Sequence, residues 1–149
     1  MFIQLSSQNQ TNIRHVDKNT SINQHTKTQK IMSYYDYGQI HDISWLKNGK
    51  YHRSGGATAY IAYFRNGQIR HKSWYRDGHF HRGSAKATEG DAPAIIEYYE
   101  TGQIESESWF KDGKYHRNKG PDIVVYFENG TLKKEIMCNT DELEMEINS

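Results

Sequence analysis

From Tyr34 onward the apolar and polar positions of this chain alternate with a period of two, and no stretch repeats at helical spacing. Runs rich in aromatic and β-branched residues (Ala59 to Phe64, Ala94 to Tyr99, Ile123 to Phe127) each reach a turn signal. The first two resume beyond it as Ile69 to Arg76 and Ile104 to Lys111. Runs of that length and composition predict strands. Asn48-Gly49, Asn66-Gly67, Asp77-Gly78, Asp112-Gly113 and Asn129-Gly130 supply residues that tolerate positive φ at hairpin corners. The predicted fold is all-β, a chain of antiparallel hairpins.

One frame recurs three times: YGQIHDISWLKNGKYHR at Tyr37 to Arg53, NGQIRHKSWYRDGHFHR at Asn66 to Arg82, and TGQIESESWFKDGKYHR at Thr101 to Arg117. Counted from Gly38, Gly67 and Gly102, a tryptophan falls at plus 7, a glycine at plus 11 and a His-Arg pair at plus 14. A partial fourth copy starts at Glu128-Asn129-Gly130 and has Met137 where tryptophan is expected, which reads as a terminal cap. First glycines lie 29, 35 and 28 residues apart; the longer interval holds an insertion of about six residues within Ala85 to Ala94, predicted to be an exposed loop. Units of this size stack into a quasi-linear array.

Alternation assigns two faces to the second strand of each unit. One carries Ile40, Asp42, Ser44 and Leu46, then Ile69, His71, Ser73 and Tyr75, then Ile104, Ser106, Ser108 and Phe110. The other carries Trp45, Trp74 and Trp109 among charged neighbours. Stacking in register predicts ladders of Tyr, Trp and Ile, each cross-strand pair contributing about 0.2–1 kcal/mol.

Composition supports a thin core. Of 149 residues, 35% are hydrophobic, and 11 Tyr, 3 Trp and 5 Phe must supply much of the packing area. Residues 1–33, rich in Gln and Asn, are expected to form a polar leader, flexible or laid down as an extended arm. The repeats then occupy 34–138 and an acidic tail 139–149. A net charge of +1 implies no global field for nucleic acid. The lone Cys138, the absence of a signal-like start and the lack of any membrane-length apolar window suit a soluble protein of the cytoplasm.

The stretches YFRNGQIRHKSWYRDGHFHR and EYYETGQIESESWFKDGKYHR resemble the MORN-type repeat, in the bacterial and viral variant reading roughly YYxNGQxxxxxWYxxGxxHRxxGPA. The resemblance covers Tyr34 to about Cys138. The Gly-Pro-Ala after His-Arg departs from the pattern, reading Gly56-Ala57, Asp91-Ala92-Pro93-Ala94 and Gly120-Pro121-Asp122. It implies a single-layered, twisted antiparallel β-meander. It also implies a protein-binding or dimerising scaffold, with lipid headgroups as ligands of some members, and points to viral and phage settings.

The His-Arg pairs (His52-Arg53, His81-Arg82, His116-Arg117) offer forked donors for phosphates. Their recurrence in every unit favours a structural role instead, His bonding a neighbouring turn and Arg stacking on a ring of the next unit. His79 and His81 put two imidazoles on one strand face, with His71 in the same copy, but the pair is not repeated in the other units and no Cys or carboxylate is fixed beside it, so no metal is expected, and no cofactor. No nucleophile, base and orienter are grouped, so no catalytic residue and no enzyme activity are expected.

Charge differs between units: the second collects Arg65, Arg70, His71, Lys72, Arg76, Arg82 and Lys86, the third Glu97, Glu100, Glu105 and Glu107. Either Arg70 and Lys72 meet Glu105 and Glu107 as cross-strand pairs, or the second unit exposes a basic stripe around Trp74. The expected function is a non-enzymatic binding module whose tryptophan face meets a protein partner, a virion component or a host factor that it inhibits. The expected binding residues are Trp45, Trp74, Trp109, Arg70, Lys72, Arg76 and Arg82. Alternatives are homodimerisation through a sheet edge and binding of nucleic acid or anionic lipid by the basic stripe.

Overall fold

The structure, a computed structural model, describes residues 27–82 and 92–138 and the backbone of His15–Val16. It is all-β, with no helix among the described residues, and so no helix there that is long and apolar enough to cross a membrane. Nine strands follow one another across an open antiparallel sheet: β1 (His15–Val16), β2 (Gln29–Tyr34), β3 (Ile40–Lys47), β5 (Tyr60–Tyr63), β6 (Ile69–Ser73), β9 (Ile95–Tyr98), β10 (Ile104–Ser108), β13 (Ile123–Tyr126) and β14 (Leu132–Ile136). The short β4 (Lys50–Tyr51) pairs with the end of β3. Two small ribbons stand apart, β7 (Tyr75–Arg76) with β8 (His79–Phe80), and β11 (Phe110–Lys111) with β12 (Lys114–Tyr115).

Gln29–Ser33, assigned to the leader by composition, form most of β2, and Val16 and His15 pair with Ile31 and Met32. The remaining leader, the acidic tail and residues 83–91 of the insertion lie outside the described residues.

Two kinds of turn hide behind similar dipeptides. At Asn48-Gly49, Asp77-Gly78 and Asp112-Gly113 both residues have positive φ, the backbone of a type I′ hairpin. At Asn66-Gly67 and Asn129-Gly130 only the glycine does. There the asparagine Oδ1 instead accepts the backbone N–H two residues on, from Gln68 at 2.9 Å and Thr131 at 3.0 Å. Gly113 is the tightest corner. A Cβ there would lie 3.2 Å from His79 Nδ1 on a backbone with φ +84°, whereas at Gly38 (φ +84°) nothing lies within 4 Å. Gly113→Ala is therefore expected to lose about 1–2 kcal/mol from left-handed strain and more than Gly38→Ala, a difference that paired urea denaturation curves measure.

Each long hairpin carries a register shift just after its turn. Tyr34 pairs with Ile40 and Ser33 with Asp42, leaving His41 over; the same shift leaves Arg70, Glu105 and Lys133 unpaired. This corrects the face assignment. Directly paired residues share a face, so Ile40, Ile69 and Ile104 lie with Tyr34, Tyr63 and Tyr98 on the tryptophan side, not with Asp42, His71 and Ser106. Simple alternation cannot anticipate a bulge, which slips the period by one.

A second correction concerns the strands Ile69 to Arg76 and Ile104 to Lys111, which break at their tryptophans. The Trp74 N–H donates to Ala94 O at 2.9 Å while its carbonyl accepts from His81 N–H at 3.0 Å. Trp109 does the same with Asp122 O and His116 N–H. Each tryptophan is thus a corner where the chain leaves the main sheet for a ribbon. The core at these corners is thin, as composition implies. Ala59, Ala62, Ala94 and Ser73 are wholly buried, and Trp74, Trp109, Phe110, Ile43 and Val124 are nearly so.

Candidate functional site

Each His-Arg pair folds back over its own tryptophan, at the corners of Trp74 and Trp109 and at Trp45 within β3. The guanidinium Cζ of Arg53, Arg82 and Arg117 sits 4.0, 3.8 and 3.6 Å from the ring centroids of Trp45, Trp74 and Trp109. Nη1 of each donates at 3.1 Å to a carbonyl beyond the corner: Thr58, Pro93 and Pro121. The arginine therefore stacks within its own unit and not on the next one. A guanidinium over an indole face gains from the ring quadrupole while its edge still hydrogen-bonds. Burial pushes the Arg82 guanidinium down from its ordinary value, although not far enough to discharge it at neutral pH.

The histidine of the pair reaches the following unit. His52 Nδ1 accepts the backbone N–H of Asp77 at 3.2 Å, and His81 Nδ1 accepts that of Asp112 at 3.4 Å. Both are hairpin turns of the next frame, as the sequence pattern suggested. Asp112 Oδ1 also takes Arg76 Nη2 at 2.9 Å, and that hydrogen bond holds the Asp112 carboxyl below the usual range. The partial fourth copy has no second turn to offer His116, whose Nε2 lies 3.2 Å from Asn118 Oδ1.

The seven binding residues expected from sequence do not form one exposed stripe. Trp74 and Trp109 are 6% and 3% exposed and Trp45 is half-buried, because an arginine covers each ring. Arg82 is that cover in the second unit, and exposed Arg76 is paired with Asp112. Arg70 is exposed, while Lys72 lies half-buried with Nζ 5.5 Å from the Tyr98 ring. Nor do Arg70 and Lys72 meet Glu105 and Glu107 as neighbours, since β9 runs between β6 and β10. Two strand spacings are about 10 Å.

Ring-to-ring contacts run where the sequence reading did not place them. Tyr51, Tyr75, Phe80, Phe110 and Tyr115 follow one another across β4 and the two ribbons, at centroid separations of 4.9, 4.5, 5.0 and 4.3 Å. The signal was present: an aromatic follows Trp74 and Trp109, and one precedes each His-Arg pair.

The face opposite the tryptophans holds two polar networks. Ser73 Oγ lies 3.0 Å from His71 Nε2, and His71 Nδ1 lies 2.8 Å from Glu97 Oε1. That chain has the order of a nucleophile, base and orienter, but Ser73 is 0% exposed and no substrate reaches its hydroxyl. The His71 hydrogen bond holds the Glu97 carboxyl below its ordinary value. In the first unit Ser33 donates to Asp42 Oδ2, with His41 Nδ1 2.7 Å from the same oxygen. The links from Ser33 to Asp42 and from His71 to Glu97 come from strand register, so no linear motif announces them.

Tyr60, beside these networks, is pushed up to about 12 by burial and by the Asp42 charge. Folding thus favours its neutral phenol, so the stabilisation is complete below the ordinary tyrosine range and is lost as pH rises from about 10 towards 12. Burial also pushes the Tyr75 and Tyr126 phenols up, so absorbance titration is expected to show several late tyrosines, and Tyr60→Phe removes the most displaced of them.

Two cavities are lined by described residues. One, of about 300 Å³, lies between the His52 to Ala57 segment and Trp74, Tyr75, Arg76 and His81. The other, of about 150 Å³, opens over β2 and β3 at Asp42. No three His, Cys, Asp or Glu among the described residues are grouped to hold a metal ion. Comparison of the chain with protein-family models, curated proteins and solved structures finds no match in any of the three.

Proposed function

We propose that this chain is a non-enzymatic β-repeat module of MORN-like type that binds another protein through its tryptophan-bearing face. The observation that carries the reading is the surface left on that face once the indoles are covered. Ile61 and Ile96 remain half-exposed there, flanked by Tyr63 and Tyr98 and by the half-buried Lys72 and Glu107. Tyrosine is among the residues enriched at protein interfaces, and two of them flank the aliphatic pair here. The contact residues in this reading are Ile61, Lys72, Ile96 and Tyr98, with the tryptophans beneath as support. A virion component or a host factor is the kind of partner that the MORN resemblance suggests, and the lone Cys138 agrees with an intracellular setting.

Nucleic acid or anionic lipid is the weaker reading, because Arg82 and Arg76 are engaged by Trp74 and Asp112. The test is affinity capture from the native source with the full chain and with the double variant Lys72→Glu, Ile96→Glu. The module is expected to retain a discrete protein that the variant loses while keeping its unfolding midpoint. Equal retention by both sinks the proposed face. Retention only of nucleic acid or lipid, lost steeply with added salt, replaces the protein partner with the other class.

A further inference from the structure

The small cavity over β2 and β3 lies on the face opposite the tryptophans, and its use does not depend on the protein-binding reading above. Its floor is Asp42, whose side chain is 19% exposed. Only one carboxylate oxygen is engaged: Oδ2 accepts the Ser33 hydroxyl and faces His41 Nδ1, whereas Oδ1 has no hydrogen bond among the described residues. The Ser44 hydroxyl in the same cavity also makes none. No lysine or arginine among the described residues forms an ion pair with Asp42. Ile31 from β2, Leu46 from β3 and the ring of Tyr51 form the apolar walls, and Ser33 and the His41 imidazole, both turned to Oδ2 of Asp42, line the rest. Tyr51 is held in place by stacking on Tyr75 at 4.9 Å and by an edge contact with Tyr60 at 5.8 Å.

Two unengaged acceptors, one of them anionic, at the bottom of a slot with aliphatic and aromatic sides define the ligand by chemistry. It must bring several N–H donors, a positive charge and an unbranched apolar stem. A guanidinium is planar and forked, whereas an ammonium directs three donors from one compact point. Its stem can lie along Ile31, Leu46 and the Tyr51 face while the charge meets the carboxylate. We propose that this cavity is a binding site for a primary alkylammonium group, with Asp42 as counter-ion, Ser44 as second acceptor and Tyr51 as wall. Two sources carry that group: a lysine side chain in a peptide, and a free amine.

The experiment is a ¹H–¹⁵N titration of the full chain with Nα-acetyl-lysine amide and with Nα-acetyl-norleucine amide, which keeps the four-carbon stem and lacks the ammonium. The lysine derivative is expected to give saturable shifts at the Ser33, Asp42 and Ser44 amides, and the norleucine derivative none at the same concentrations. Asp42→Asn should weaken lysine binding about tenfold or more, the loss of a charged hydrogen-bond partner. Glu97→Gln, on the same face but outside the cavity, should leave it unchanged. Should Asp42→Asn fail to fold, the comparison of the two ligands on the unaltered protein decides alone, with Ser44→Val as a second variant expected to weaken binding. Equal shifts from the norleucine derivative, or lysine shifts that stay the same in Asp42→Asn, overturn the site. Tighter binding of a Gly-Lys-Gly peptide than of pentylamine or spermidine assigns the ligand to a protein lysine, and the reverse order to a free amine.

Discussion

Alanine in place of Trp74 is expected to lower the unfolding free energy by about 3–5 kcal/mol, the range for removing a buried indole. The ring is 6% exposed, its Nε1–H donates to Gly56 O at 3.0 Å, and it is the platform for the Arg82 guanidinium. Alanine would remove the packing, the hydrogen bond and the stacking surface together. Small domains have only about 5–15 kcal/mol in total, so the loss is a large fraction of the stability. Urea denaturation followed by far-ultraviolet circular dichroism measures the loss. Trp45 is only half-buried, and Trp45→Ala should lose clearly less. Equal small losses at Trp45 and Trp74 would mean that the indoles are surface groups after all.

Arg82→Lys is expected to destabilise nearly as much as Arg82→Met, each by about 2 kcal/mol, from the lost charged hydrogen bond to Pro93 O and the lost stacking on Trp74. Lysine keeps the charge but not the planar fork that lies over an indole while its edge reaches a carbonyl. That separates the two roles the His-Arg pairs offered in the sequence. If Arg82 served only to attract an anion, lysine would retain most of the property and the fold would be unaffected. Lysine matching arginine in stability would therefore undo the structural assignment.

The architecture was legible because strand chemistry is local. Alternation, β-branched and aromatic runs and Gly-containing corners all signal hairpins within a few residues, and the hairpins are present as an open antiparallel sheet. The link from His52 to the Asp77 turn was legible too, since a residue repeated in every unit is more useful between units than at a single site. The destination of the tryptophans was not. Period two puts Trp74 beside Arg70, Lys72 and Arg76, but the corner at Trp74 carries the chain into a ribbon and brings Arg82, eight positions on, over the ring. The faces of Ile40, Ile69 and Ile104 were misread for a related reason, a one-residue bulge that composition does not mark. The Asp42 cavity and the Ser73–His71–Glu97 chain arise from pairing across strands, where register is the only informant.

The arginines of the His-Arg pairs are internal parts of the sheet, and one spectrum tests that directly. In a ¹H–¹⁵N spectrum tuned to arginine side chains, the Nε–H signals of Arg53, Arg82 and Arg117 should be displaced by the ring currents of Trp45, Trp74 and Trp109. They should also stay unmoved when phosphate is added. Three signals at solvent-exposed positions that shift together with phosphate would contradict the account and make the pairs a ligand-binding row.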